Sequence, residues 1–290
     1  MKKIAILGCE NTHAKAFLKY ITENEEFSDI EVVGVYSDDL DASKALQEAF
    51  GVPVLESYDA AVGKIDGLIV TARHGAYHYK FAKPYIESGI PFFMDKPITI
   101  SEEEAVTFMK ELREHNVRVS GGSSLKQDLN VAALREAHSV EQDGKTISGF
   151  VRAPFHAQNN YGGFYFYAPH MVEMVAEIFG RYPISVTAKK NGENIHVLFH
   201  YENYDCVGLF ADESNVYYAC RMSDQGVQSL EIPITKDWYY REFKEFYAML
   251  CGAPQPQSYE DLIASVFTMN AIERSLLNGG KEEKVNPVVL

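Results

Sequence analysis

The sequence predicts an α/β domain followed by an α+β domain: a doubly wound parallel sheet of Rossmann type at the amino end, then an open, mostly antiparallel sheet. Three observations lead there. Short apolar runs alternate with segments of helical periodicity up to about residue 120; strands then follow one another without intervening helices; and two helical segments close the chain. The change of pattern places the domain boundary between 1–120 and 121–290.

In the first domain, "KIAILG" is an apolar run behind Met1 and Lys2, too short for a secretion signal, and is expected to be the first strand of a cytoplasmic protein. "IEVVGVYS", "GLIVTA", "PFFMDKP" and "VRVSGG" follow as strands, and their apolar runs suit a sheet covered on both faces. Between them "DASKALQEAFG" carries helical spacing. Pro84 in "HYKFAKPYIESG" is expected to kink or interrupt its helix, because proline lacks the N–H that the helix needs. In "SEEEAVTFMKELREHN", Ser101 and Glu104 form a capping box that starts a helix just after Thr99.

The second domain opens with a helical segment near "VAALREAHSV". The strands "ISGFVRAP", "ISVTAKK", "IHVLFHYE", "DCVGLFAD", "NVYYACRM" and "QSLEIPI" follow with Asn, Gly and Asp at the turns, which implies antiparallel pairing. "WYYREFKEFYAMLCG" and "SYEDLIASVFTMNAIERSLLNGG" are closing helices, the latter stopping at Gly279 and Gly280. Several strands put aliphatic or aromatic residues at successive positions. Both faces of this sheet are therefore partly apolar, and one is expected to meet a second copy in a homodimer or homotetramer.

A chain of 290 residues can build one large or two smaller cores without disulfide or metal support. A formal charge of -14 without basic patches argues against nucleic acid and anionic membranes as partners and leaves small molecules. Cys9, Cys206, Cys220 and Cys251 show no C-x-x-C spacing, so neither a zinc site nor a disulfide framework is expected, and a reducing compartment is.

The chemistry-bearing residues gather at expected strand ends, where open parallel sheets bind ligands. "MDKP" ends a buried run on an acid and a lysine, and Pro97 restricts the backbone of Lys96, which makes Lys96 a site candidate against the reading of a solvated loop lysine. The first strand runs into Gly8, with Asn11 and Thr12 as caps of the next helix; this is either a phosphate-binding turn or a plain strand–helix connection. Ser37, Asp38 and Asp39 end the second strand, where acids accept from an adenosine ribose and repel a 2′-phosphate, or else cap a helix. Thr71, Arg73, His74 and His78 follow the third strand. In the second domain, Pro169 is expected to begin a helix that puts His170 and Glu173 on one face. With Tyr165 and Tyr167 nearby they form either a proton-transfer pair or a structural hydrogen-bond cluster.

Taken together, "KIAILG", "ALQEAFGVPV", "GLIVTA" followed by His78, "MDKP", "YAPHMVEM" and the closing helical segments resemble the glucose-fructose oxidoreductase, inositol dehydrogenase and rhizopine-catabolism (Gfo/Idh/MocA) family over nearly the whole chain. The resemblance implies a dinucleotide-binding first domain and a substrate-binding second one. The activity it implies is hydride transfer between NAD, with NADP as the alternative, and a sugar, polyol or related hydroxy compound. It makes Lys96 the residue that touches cofactor and substrate, with Asp95 in place of the usual glutamate, and His170 the acid or base; the two are expected in one cleft. By the same likeness Lys126 stands near where relatives carry an arginine, and Tyr167 and Glu173 flank the substrate. The family's G-x-G-x-x-G turn is reduced to Gly8 with Glu10, Asn11, Thr12 and His13. That erosion keeps open a second reading, a sensor that retains the fold without turnover.

Overall fold

A computed structural model describes every residue except Ala157 and Lys236. The chain forms two compact units: Met1–Gly122 with Tyr239–Leu262 and Leu290, and Ser123–Trp238 with Ile263–Val289. The chain thus leaves the first unit at Gly122 and returns to it with a late helical segment.

The first unit holds strands β1 (Lys2–Leu7), β2 (Ile30–Tyr36), β3 (Gly67–Val70), β4 (Phe92–Asp95) and β5 (Val119–Gly122), ordered β2-β1-β3-β4-β5 with parallel pairing throughout. Helices α1 (Thr12–Glu23), α2 (Leu40–Phe50), α3 (His78–Ala82) and α4 (Glu102–Glu114) form the crossovers. Ser101 caps α4 by accepting from Glu104 N, as its capping box predicts. Pro84 interrupts its segment as expected, α3 giving way to a 3₁₀ turn over Lys83–Ser88. The core stacks Phe17, Phe27 and Phe93 with Phe243, Phe246 and Met249, the last three from helix α7 (Asp237–Leu250) after α5 and α6 of the second unit. Phe17 meets Phe93 at 5.1 Å and Phe27 meets Phe243 at 4.8 Å between ring centroids, both edge to face. This aromatic burial binds the late helix to the first sheet.

The second unit carries α5 (Leu129–Ser139), α6 (Phe164–Phe179), α8 (Tyr259–Leu277) from Ile263 onward, and strands β6 (Thr146–Phe155), β7 (Ser185–Asn191), β8 (Asn194–His200), β9 (Asp205–Asp212), β10 (Tyr217–Ser223), β11 (Val227–Ile232) and β12 (Glu283–Lys284). The order is β11-β10-β6-β9-β8-β7-β12, antiparallel except for the central parallel pair β6–β9. Gly149 and Gly208 in that pair let α6 approach closely: a Cβ at Gly149 would overlap the Phe179 ring, and one at Gly208 the Met171 sulfur. Among the described residues no helix is long and apolar enough to cross a membrane.

Candidate active site

In the first unit the expected residues converge at the carboxyl ends of β1 to β4. Gly8 turns the chain out of β1 with φ +73°, and any Cβ there would overlap the backbone of Ala72. Its N–H donates to Tyr36 O at 2.8 Å, and its carbonyl accepts from the buried Thr71 Oγ1 at 3.0 Å. His78, also buried, pairs through Nε2 with Ala72 O at 2.7 Å; burial lowers its pKa to about 4, so the ring is neutral and braces the same loop.

Asn11 caps α1 by accepting from His13 N, and its Nδ2 donates to Asp95 Oδ2 at 2.8 Å. His13 is buried with Nδ1 3.1 Å from Asp95 Oδ2 and Nε2 3.3 Å from Glu242 Oε2, while its ring lies against Tyr239. Thr12 Oγ1 donates to Asn11 Oδ1 at 3.2 Å. Asp95 Oδ1 accepts from the backbone N–H of Lys96 at 2.6 Å, so this carboxylate orients the residue that follows it. Lys96 is 4 % exposed, and its peptide bond to Pro97 is cis. Burial pushes the Asp95 carboxyl up to about 6 against the pull of His13 and Lys96, and burial lowers the His13 pKa. Glu242 and Tyr239 escaped the sequence reading because they lie on α7, more than two hundred residues from His13, and only the aromatic core brings them back.

Beyond the end of the second strand, Asp39 takes the helix-cap role that the sequence left open as one alternative. Ser37 is buried and donates to Glu10 Oε2 at 2.7 Å, while Glu10 Oε1 accepts from Arg73 N at 2.9 Å. Asp38 is exposed and accepts from Tyr36 OH at 2.6 Å; Asp39 caps α2 through Asp41 N and Ala42 N. His74 caps the 3₁₀ turn Gly75–Tyr77.

In the second unit, α6 does not begin at Pro169. It begins at Phe164, after Gly163 at φ 57°, and Pro169 sits inside it. A proline in the second turn removes only its own N–H bond to the carbonyl of Tyr165, so a helix already begun among the aromatic residues passes through it. His170 and Glu173 are nevertheless joined, through Ser123: His170 Nδ1 is 2.8 Å from Ser123 Oγ, and Glu173 Oε2 accepts from Ser123 N at 2.8 Å. Glu173 is 6 % exposed, and burial raises its pKa while the Lys126 charge pulls it down. Lys126 belongs to the 3₁₀ turn Ser124–Gln127. The His170 ring meets Tyr217 edge to face at 6.2 Å, and Tyr217 meets Trp238 likewise at 6.1 Å. Tyr167 packs on His156 at 5.2 Å, whereas Tyr165 donates to Glu273 Oε2 at 2.8 Å. Ser123 had no motif to mark it.

The buried groups make a pH prediction. Between about pH 6.5 and 4 the unfolded chain protonates its histidines while His78 stays neutral in the fold, so stability falls on acidification. Asp95 acts with the opposite sign: its folded pKa is raised, so the fold takes up a proton between about pH 6 and 4 and gains stability there. Asp95→Asn removes the second effect and, by taking away the charge beside His13, lowers the His13 pKa further, which acts in the same direction as the loss. Its melting temperature is expected to fall more steeply than the wild type's between pH 6 and 4; parallel curves would refute the raised Asp95 pKa.

A glycine turn from a parallel strand into a helix, with polar groups at neighbouring strand ends, defines a dinucleotide-binding fold of Rossmann type. Residues 2–123 match the model of the Gfo/Idh/MocA group, described as an oxidoreductase family with an NAD-binding Rossmann fold. No curated protein sequence matches the chain. Among solved structures it is similar to scyllo-inositol dehydrogenase from Lactobacillus casei with bound NAD(H) and scyllo-inositol, with TM-score 0.84, 14% identity and coverage of 98% of this chain and 99% of that one. It is also similar to myo-inositol 2-dehydrogenase from Lactobacillus plantarum, TM-score 0.85 and 13% identity over 98% and 99% of the two chains. Myo-inositol dehydrogenase from Corynebacterium glutamicum gives TM-score 0.78 and 16% identity over 99% of each. The residues present fit NAD: Gly8, at φ +73°, turns the chain from β1 toward α1, and the first turn of α1 offers backbone donors beside it.

Proposed function

We propose that the protein is an NAD-dependent dehydrogenase acting on a CH–OH group of a polyol, sugar or related small hydroxy compound, with inositols the first compounds to test. The observation that carries this reading is Lys96: a buried cation that closes β4 behind an engaged carboxylate, within a domain of an NAD-binding oxidoreductase family. Bound NAD supplies the hydride acceptor. The Lys96 ammonium donates to the reacting hydroxyl oxygen and favours the negative charge that develops on it. His170 takes the hydroxyl proton at Nε2 while Ser123 Oγ holds Nδ1, and Glu173 fixes Ser123 through its backbone N–H. Lys126 and Tyr167 flank the substrate, and Asn11, Thr12, His13, Thr71, Arg73 and His78 build the cofactor side.

Thermal-shift titration with NAD, NADH, NADP and NADPH tests the reading, because a ligand of the folded state raises the melting temperature by mass action. NADH is expected to stabilise the protein most, and inositols to reduce bound NAD. No shift with any dinucleotide would reject the assignment. One observation favours a second reading, a sensor without turnover: Glu10 stands where the family has its second glycine. NADH binding without oxidation of any polyol would support that instead.

The unpaired cysteines suit a cytoplasmic protein. We also assign self-association to the open face of the second sheet. There Val207 pairs across with Phe150 and Leu198, each partly exposed. Val207→Glu is expected to shift a dimer or tetramer toward monomer in light scattering at micromolar concentration. A wild-type monomer under those conditions would sink the assignment.

A further inference from the structure

We infer that Glu10 is the carboxylate that receives the adenosine ribose, and that it, rather than Asp38, makes the protein choose NAD(H) over NADP(H). The inference rests on the dinucleotide reading above. In parallel nucleotide-binding sheets the ribose hydroxyls are met by an acid at the end of the second strand, which also repels a 2′-phosphate. That position here is Ser37, whose hydroxyl is short, buried and already donated to Glu10 Oε2 at 2.7 Å. Of the acids that follow, Asp38 is turned to Tyr36 OH and Asp39 to the first turn of α2. Glu10 leaves the turn after β1 and lays its carboxylate across the ends of β2 and β3, held on one oxygen by Ser37 and on the other by Arg73 N at 2.9 Å.

Two fixed hydrogen bonds hold this carboxylate in one place, and each oxygen keeps a second lone pair for a ribose hydroxyl. Its two fixed partners lie at the ends of β2 and β3, whereas the pyrophosphate would take backbone N–H groups of the first turn of α1. The residue that replaces a glycine therefore supplies the acid that the second strand lacks.

Isothermal titration of NADH and NADPH into wild type, Glu10→Gln and Asp38→Asn tests this without reference to turnover, with melting temperatures as the folding control. Glu10→Gln keeps an acceptor for Ser37 and is expected to weaken NADH by about ten- to a hundredfold, the worth of charge-assisted hydrogen bonds, while weakening NADPH less, so that the preference narrows. Asp38→Asn should leave both affinities within about threefold of wild type. If wild type binds NADH and Glu10→Gln binds it equally or more tightly, Glu10 is only a brace or an obstruction and the inference is wrong. Wild-type NADPH binding as tight as NADH, or selectivity lost in Asp38→Asn alone, overturns it as well. A wild type that binds neither dinucleotide rejects the proposed function, and this inference with it. Should Glu10→Gln lower the melting temperature, Glu10→Asp, which keeps the charge, must restore part of the NADH preference for the inference to stand.

Discussion

Lys96→Met and His170→Ala are each expected to lower turnover by roughly two to four orders of magnitude, the worth of a positioned proton-transfer or charge-stabilising group. Melting temperature should change far less. Methionine matches the lysine stem in volume and removes only the ammonium, while His170 is half-buried, so its truncation opens no core cavity. If both groups act on one transition state, the double variant should be little slower than the worse single one, because groups that work as a unit are not additive. Ser123→Ala provides the intermediate case: it removes the hydroxyl at His170 Nδ1, and it should displace the acid limb of the pH–rate profile rather than abolish turnover. Activity per folded molecule that survives in both single variants would remove Lys96 and His170 from the chemistry.

Gly8→Ala should combine a loss of stability with a loss of NADH binding. At φ +73° a side chain alone costs about 1–2 kcal/mol. Overlap with the Ala72 backbone adds to that, since β1 and β3 pair directly and neither can retreat. Gly51→Ala is the internal control: its φ is +69°, and nothing lies within 4 Å of an added Cβ. Urea denaturation should therefore show Gly8→Ala losing more stability than Gly51→Ala, with NADH affinity lost only in the former. Equal losses would mean that the close approach to Ala72 carries no weight.

The parallel first sheet was legible because apolar runs alternate with helices that carry their own periodicity, as "KIAILG", "GLIVTA" and the Ser101-capped α4 show. Local signals also marked Lys96 as a candidate, since an apolar run that stops on Asp-Lys-Pro carries that mark within a few residues. His170 and Glu173 were readable as a pair, but the start of their helix was not. Pro169 looked like a first-turn residue, and the aromatic residues from Phe164 carry no cap that the sequence advertises.

What the sequence determined by itself is thus whatever depends on neighbours a few residues apart: the period of burial, the caps, the breaks at proline, and the identity of the two candidate reacting groups. Tertiary structure alone decided which distant groups meet them. Glu242 reaches His13 because Phe243 and Phe246 are buried against the first sheet, and Ser123 joins His170 to Glu173 where a 3₁₀ turn follows the last parallel strand. Glu10 turns to Ser37 and Arg73 because the ends of three strands lie side by side. Hydrogen bonds and ion pairs act over about 3 Å whatever the separation along the chain, so no local pattern records them until packing has brought the strands and helices together.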